Sequence, residues 1–204
     1  MNNCYLAAEA GIKFFRMTGR KHIFITGSRG SGKSHLVNNM LKHMSDSFNL
    51  LQSHRTDTPQ VVIKSNLVAD NKEFVIGVPR TSGINPASKG NNMTIIEDGF
   101  INCAIPAIDT HLDTTPERLF VIDELGYLES SCIPFQKAVE KLLDNSHVLA
   151  VIRKQSTEFL NRICNRKDVL VIDIDNTFET LSCIIMASGM SKRFGSNKLI
   201  TDFN

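Results

Sequence analysis

Apolar residues along the chain gather into short continuous runs, and between the runs they recur every three or four positions. HIFIT (22–26), LFVI (119–122), VLAVI (148–152), VLVI (169–172) and CIIMA (183–187) are the runs. Near-continuous aliphatic segments of this length predict strands of a parallel sheet covered on both faces, because a half-solvated strand would alternate instead. The stretches between them supply the helices. Leu36, Met40 and Met44 recur at four-residue spacing after the first run. Phe135, Val139, Leu142 and Leu143 form one stripe behind Pro134, which suits a first helical turn, and Phe159 and Ile163 mark a third helix. Ahead of the first run, Tyr5, Ala8, Ile12 and Phe15 fall near one face of an amphipathic helix over 2–17, which Gly19 stops. Strands and helices alternating in this order predict a doubly wound α/β fold.

Residues 46–118 break the alternation. VVIK from 61, FVIGV from 74 and MTII from 93 read as short β runs between polar loops containing glycine and proline, followed by a helix over 98–112. The segment is expected to be a partly antiparallel insertion between the first helix and the LFVI strand.

A length of 204 residues with 42% hydrophobic and 22% charged residues suits one well-buried domain with a short appendage. No apolar run approaches the roughly 20 residues that cross a bilayer, and the N-terminus lacks the basic start of a signal peptide. The expected location is the cytoplasm. Cys4, Cys103, Cys132, Cys164 and Cys183 are scattered without a C-x-x-C pair, as expected of buried reduced thiols. His35 and His43 share a helix at a spacing of eight, while His22, His54, His111 and His147 stand alone, so the histidines read as packed or solvated side chains. A formal charge of +2 is too small to indicate nucleic acid as the main partner.

The segment GSRGSGKS changes the picture. Gly27, Gly32, Lys33 and Ser34 satisfy G-x-x-x-x-G-K-[ST], and the pattern lies between a predicted strand and a predicted helix, as its mechanics require. Such a loop wraps phosphate oxygens in successive backbone N–H groups at a helix N-terminus. The candidate cradle for ATP or GTP is Gly27, Ser28, Arg29, Gly30, Ser31, Gly32, Lys33, Ser34 and His35, with Arg29 and Ser31 at variable positions that carry no fixed role. Lys33 would bring a cation to the β- and γ-phosphates, and Ser34 an oxygen to Mg²⁺. Asp123 and Glu124 follow the LFVI run at the edge where open α/β sheets gather ligands. There Asp123 would hold Mg²⁺ through water, and Glu124 would orient and deprotonate the attacking water, so Lys33 and Glu124 are the candidate catalytic pair. The plainer readings, a Gly/Ser turn and a polar DELG turn, each weaken when both segments occur together.

GSRGSGKS, FVIDELGYLE with Phe135 after it, and NRKDVLVIDI together resemble the cancer-related nucleoside-triphosphatase family. These are P-loop ATPases and GTPases whose acidic strand reads V-I-D-E-[IL]-G, followed by a Glu and a Phe. The resemblance covers about residues 21–174 and is carried by Gly27, Gly32, Lys33, Ser34, Asp123, Glu124 and Glu129. It implies a RecA-like P-loop NTPase sheet with another strand between the P-loop strand and the acidic strand, and slow Mg²⁺-dependent hydrolysis of several nucleoside triphosphates. The chain departs from the family in two places. Phe178-Glu179 stands where Asn-Arg is usual after the last strand, and Arg153-Lys154 where a proline commonly follows the VLAVI-type strand. A charge-sensing arginine is therefore not in its expected place. Arg153, Arg162 and Arg166 are the candidates to replace it, against the plainer reading of solvated charges, and Arg80 is equally open.

The tail, IIMASGMSKRFGSNKL, resembles the opening signature of the nucleotidyltransferases that attach CMP or GMP to molybdenum cofactor, L-A-x-G-x-S-x-R-[FM]-G-x-x-K. Met186 replaces the Leu, Ser188 stands where Ala or Gly is usual, and Ala187, Gly189, Ser191, Arg193, Phe194, Gly195 and Lys198 match. In that family the loop binds the triphosphate of the incoming nucleotide, but the strands and carboxylates that would complete the site do not follow here. The expectation is a P-loop domain over 1–182, with its insertion at about 46–118, and at 183–204 the severed first strand and loop of a fused nucleotidyltransferase-like domain. The plainer alternative is a last strand with a disordered basic tail. Two other activities use the same P-loop: a kinase passing the γ-phosphoryl to a nucleotide or small molecule under a lid formed by the basic stretch 153–167, and a nucleotide-switched regulatory module.

Overall fold

The computed structural model describes residues 19–42, 48–80 and 93–175. The predicted helix over 2–17, Met44, His43, Cys4, Cys183, the Phe178-Glu179 pair and the whole tail at 183–204 lie outside the described residues. Among the described residues, eight strands form a single sheet in the order β5-β4-β3-β2-β6-β7-β1-β8. They are β1 (His22–Gly27), β2 (Phe48–Arg55), β3 (Val61–Ser65), β4 (Phe74–Pro79), β5 (Met93–Ile95), β6 (Leu119–Leu125), β7 (His147–Arg153) and β8 (Val169–Asp173). β2, β6, β7, β1 and β8 run parallel, while β3, β4 and β5 are added antiparallel beside β2. The predicted mainly parallel α/β sheet with a partly antiparallel insertion is thus the observed one. β7 lies between the P-loop strand and the acidic strand, as the family resemblance implied.

The three central parallel runs, β1, β6 and β7, are apolar on both sides because both sides are covered. Successive side chains of a strand point to opposite faces. Ile23, Ile25, Val121, Leu149 and Val151 therefore face helix α1 (Lys33–Leu41) and pack with its Val37, Met40 and Leu41. Phe24, Phe120, Ile122, Val148, Ala150 and Ile152 face the other way. There they meet helices α2 (Ile105–Thr114), α3 (Ile133–Asn145) and α4 (Glu158–Cys164), through residues such as Ile108, Phe135, Leu142, Phe159 and Ile163. The stripe predicted on α3 is buried in full, with Pro134 in its first turn. On α1 the buried face is Val37, Met40 and Leu41, with Leu36 partly covered at its edge, so the four-residue spacing located the helix and, through Met40, part of its inward face. The helix expected over 98–112 begins with a short turn, Glu97–Gly99, passes through a π-helical turn, Phe100–Ala104, and continues as α2.

β2 is the element that periodicity missed. Asn49 interrupts its apolar Phe48, Leu50 and Leu51, and Gln52, Ser53, His54 and Arg55 follow, so no continuous run exists to read. A buried polar chain fixes it in place. Asn49 Nδ2 donates to His111 Nδ1 at 2.8 Å and to Thr115 Oγ1 at 2.8 Å. His111 Nε2 donates to Ser146 Oγ at 2.6 Å, which in turn donates to the Pro116 carbonyl. This tautomer uses both ring nitrogens, and burial holds the His111 pKa below its ordinary value. The chain of bonds joins β2, α2 and the turn before β7, which sets β2 against β6. Cys103 and Cys132 are buried free thiols and Cys164 is partly buried, as expected.

Candidate active site

The carboxyl ends of β2, β6, β7 and β1 open onto one cavity of about 800 Å³. One end is the loop that joins β1 to α1. Gly32 adopts φ 92°, a conformation that costs glycine little, and from there the helix starts with Leu36 N–H donating to the Gly32 carbonyl at 2.9 Å. At Gly27 the demand is for space: a Cβ would lie 2.8 Å from both Ile174 Cγ1 and Ser31 Oγ. Gly27, Ser28, Arg29, Gly30, Gly32, Lys33, Ser34 and His35 all line the cavity. Ser31 is the exception within the predicted set, because its hydroxyl is buried behind Gly27. The Lys33 ammonium is drawn over the loop and donates to the carbonyls of Gly27 at 3.0 Å and Ser28 at 2.8 Å.

Opposite the loop, β6 ends in the acidic pair. Asp123 pairs in register with Val151 and Leu125 with Ile152, so Glu124 is an extra residue at a bulge. Bulges of this kind re-aim side chains beside functional sites, and this one lets two adjacent carboxylates serve the same edge. Asp123 is buried beneath Ser34, whose hydroxyl donates to Asp123 Oδ1 at 3.0 Å. Burial raises the Asp123 pKa, and the hydrogen bonds from Ser34 and Gln52 oppose the rise. Two hard oxygen donors held this way fit a Mg²⁺ ion, which takes one or two protein ligands and completes its shell with water and phosphate. Among the described residues no cluster of three or more His, Cys, Asp or Glu side chains could hold a metal alone.

Glu124 faces the cavity and forms an ion pair with Arg153 at the end of β7. The Arg153 guanidinium carbon also lies 5.8 Å from the centre of the Tyr127 ring. Next to it, Lys154 pairs with Asp173 at 2.8 Å and Asp175 at 3.0 Å. Asp175 in turn accepts from the Ser28 N–H at 2.7 Å and from the Ser28 hydroxyl at 2.9 Å, which ties the loop to the end of β8. Glu129 is almost wholly buried, and burial pushes its carboxyl up to about 7. It accepts from the Gly126 N–H at 2.9 Å and from the Ser53 hydroxyl at 3.4 Å, and Ser53 also accepts from the Glu124 N–H at 3.4 Å. Glu129 and Ser53 therefore brace the backbone that carries Glu124.

Of the three arginines offered as replacements for the family residue, only Arg153 reaches the cavity. Arg162 is engaged with Glu140 and Gln136, and Arg166 with Asp168 and Asp144. The basic stretch 153–167 is accordingly no lid. Its first three residues line the cavity, whereas 158–164 forms α4, packed beside β8 and α3. Ser53, His54, Arg55 and Tyr127 are wall residues that sequence reasoning did not single out. Their signal was weak because the first three belong to the strand without a run.

The geometry agrees with what comparison with known proteins finds. A family model described as NTPase matches residues 22–182. The chain is 26% identical over 155 residues to the nucleoside-triphosphatase THEP1 of Thermotoga sp. (strain RQ2), covering 75% of this chain and 86% of that protein. It is 23% identical over 154 residues to the nucleoside-triphosphatase THEP1 of Thermotoga maritima, with coverages of 75% and 86%. Among solved structures, the crystal structure of THEP1 from the hyperthermophile Aquifex aeolicus superposes with a TM-score of 0.61 at 18% identity, covering 76% of this chain and 91% of that one. The solution structure of a human cancer-related nucleoside triphosphatase gives a TM-score of 0.55 at 19% identity, with coverages of 75% and 88%. These two likenesses establish a shared fold, and the family match spans most of the chain, including the loop and the acidic pair. The chain belongs to the NTPase family of enzymes.

Proposed function

We propose that this chain hydrolyses the β–γ bond of nucleoside triphosphates, ATP and GTP among them, in a Mg²⁺-dependent and slow reaction with broad preference for the base. The observation that carries the reading is the Ser34 to Asp123 hydrogen bond of 3.0 Å, which places the two oxygen donors together beside the Lys33 ammonium and the Glu124 carboxylate. Ser34 and Asp123 are the residues to hold Mg²⁺, which when bound would neutralise charge on the phosphate oxygens. The loop from Gly27 to Ser34, with His35 at the rim, receives the phosphates on backbone N–H groups other than that of Ser28, which Asp175 holds, and Lys33 shifts from the loop carbonyls to them. Glu124 orients the attacking water and takes its proton. Phosphoryl transfer needs little covalent help, so positioning and charge neutralisation supply most of the acceleration.

In this reading the residues beyond 182 are the opening strand and loop of a nucleotidyltransferase-like domain, and the triphosphatase serves as the neighbour of such a domain. The support is the set of matches from Ala187 to Lys198. Among the described residues no helix is long and apolar enough to cross a membrane.

The test is phosphate release from ATP, GTP, CTP and UTP with and without Mg²⁺, in the wild type and in Lys33→Ala. Release that requires Mg²⁺ and is lost with Lys33 is the expected result. No release from any of the four refutes the proposal.

A further inference from the structure

The cavity extends well past the groups that a triphosphate would engage. β2 is three strand positions from β1, which at about 4.8 Å per strand places the far wall roughly 14 Å from the P-loop strand. That wall is made by Ser53, His54 and Arg55 at the end of β2, Val61 on β3, and Tyr127 and Leu128 after β6. Glu124 stands between the two ends.

Two arginines, Arg55 and Arg153, line the far end, and the charge of a third, Arg80, reaches its Tyr127. Arg153 stacks on Tyr127. Arg80 arrives from β4. That strand is drawn up against the Tyr127–Leu128 turn at Gly77, where a Cβ would lie 2.8 Å from Leu128 Cδ1. The charges of Arg153, Arg55 and Arg80 all act on the Tyr127 hydroxyl. The carboxylates nearby are already committed, Glu124 to Arg153 and Glu129 to the Gly126 N–H. Among the described residues, neither Arg55 nor Arg80 has a carboxylate within ion-pair distance. Guanidinium groups present paired donors that match the oxygens of a phosphate, and a lined cavity of this size accommodates a small molecule.

We propose that the far end of the cavity is a second-substrate site for a small phosphomonoester. Arg55 and Arg80 grip its phosphate while one of its oxygens faces the γ-phosphoryl group across Glu124. The enzyme then passes the phosphoryl group to that molecule as well as to water. The acceptor oxygen forms a new bond to the γ-phosphorus as the bond from that phosphorus to the β–γ bridging oxygen breaks. The nucleoside diphosphate leaves, and any proton on the acceptor oxygen passes to Glu124 and on to solvent. The proposal rests on the triphosphate reading of the loop, and departs from it in giving Arg55 and Arg80 a ligand.

The test uses the full chain with Mg²⁺, γ-labelled ATP and a panel of probes: AMP, GMP, CMP, UMP, ribose 5-phosphate and glycerol 3-phosphate, each beside its unphosphorylated counterpart. At least one phosphomonoester is expected to become labelled, and its counterpart is expected to stay unlabelled. In Arg55→Ala/Arg80→Ala the concentration of that acceptor at half-maximal effect rises at least about tenfold. It is read as each protein's rate with acceptor over its own rate without. Arg55→Gln, a milder change at an exposed strand end, is expected to shift the same ratio in the same direction. Free phosphate as the only labelled product overturns the second site and leaves the triphosphatase standing. Equal labelling of phosphorylated and unphosphorylated probes overturns recognition by the arginines. Absence of any ATP turnover overturns both readings.

Discussion

The Ser34 hydroxyl donates to Asp123 Oδ1 across 3.0 Å, joining residues 89 positions apart in the chain. The bond crosses from the start of α1 to the end of β6, with β7 and β1 setting the spacing between them. If these two oxygens hold Mg²⁺, Asp123→Asn should raise the Mg²⁺ concentration needed for half-maximal turnover by about 10- to 100-fold. A Mg²⁺ titration of phosphate release checks this, and an unchanged midpoint would remove Asp123 from the metal site.

Glu124 is exposed to the cavity at a bulge and is held there by Arg153, Ser53 and the turn that Glu129 anchors. Replacement by Gln keeps the shape and removes the proton acceptor. Turnover should fall by about 10² to 10⁴, with triphosphate affinity little changed. Single-turnover rates beside calorimetric affinities separate the two quantities. Full activity in Glu124→Gln would assign the proton to another group.

Gly99 and Phe135 hold the helical layer that covers the sheet on the side away from α1. A Cβ at Gly99 would overlap the Val75 carbonyl oxygen and approach Ile76 Cγ2 to 2.7 Å, so Gly99→Ala should cost about 1–3 kcal/mol by overpacking. Phe135 is fully buried, with its ring centre 5.0 Å from that of Phe100, and Phe135→Ala should cost about 3–5 kcal/mol by leaving a cavity. Urea unfolding midpoints measure both. Wild-type midpoints would show that the layer tolerates these changes and that the packing argument is wrong.

His22 predicts an acid-side loss of stability. Its Nδ1 accepts from the Val148 N–H at 3.2 Å, so Nε2 carries the proton and faces Asp168 at 3.5 Å. The carboxylate favours an imidazolium, but burial is the larger effect and lowers the pKa to about 4, with the Arg166 and His147 charges acting in the same direction. The unfolded chain protonates this residue below pH 6.5, and the folded chain only below about 4. Its contribution is therefore complete above 6.5 and is lost progressively down to about 4, amounting to about 3 kcal/mol. Asp168, lowered to about 2 chiefly by its hydrogen bond with Arg166, stays ionised through that window. Glu129 works the other way, because its folded pKa of about 7 exceeds the ordinary 4.5 and stability falls as pH rises between them. Comparing wild type with His22→Gln isolates the first effect. The stability difference between pH 7 and pH 5 should shrink on the low-pH side in the variant, and an identical pH dependence would contradict a neutral buried His22.

The chain's own order of residues determined the loop, the acidic pair, the parallel core strands and the three antiparallel runs at 61, 74 and 93. Each is a local pattern: a glycine spacing, a continuous apolar run, a proline ahead of a stripe. Tertiary structure decided the rest, because it depends on which distant segments are neighbours. β2 was invisible to periodicity since its second half trades apolar contacts for the polar wall of the cavity, and only the Asn49, His111 and Ser146 bonds show why it sits beside β6. The choice of Arg153 over Arg162 and Arg166, the burial of Glu129 and the gathering of Arg55 and Arg80 around Tyr127 follow from strand order. Spacing along a chain carries no information about strand order, because long-range pairing is set by packing and not by local propensity.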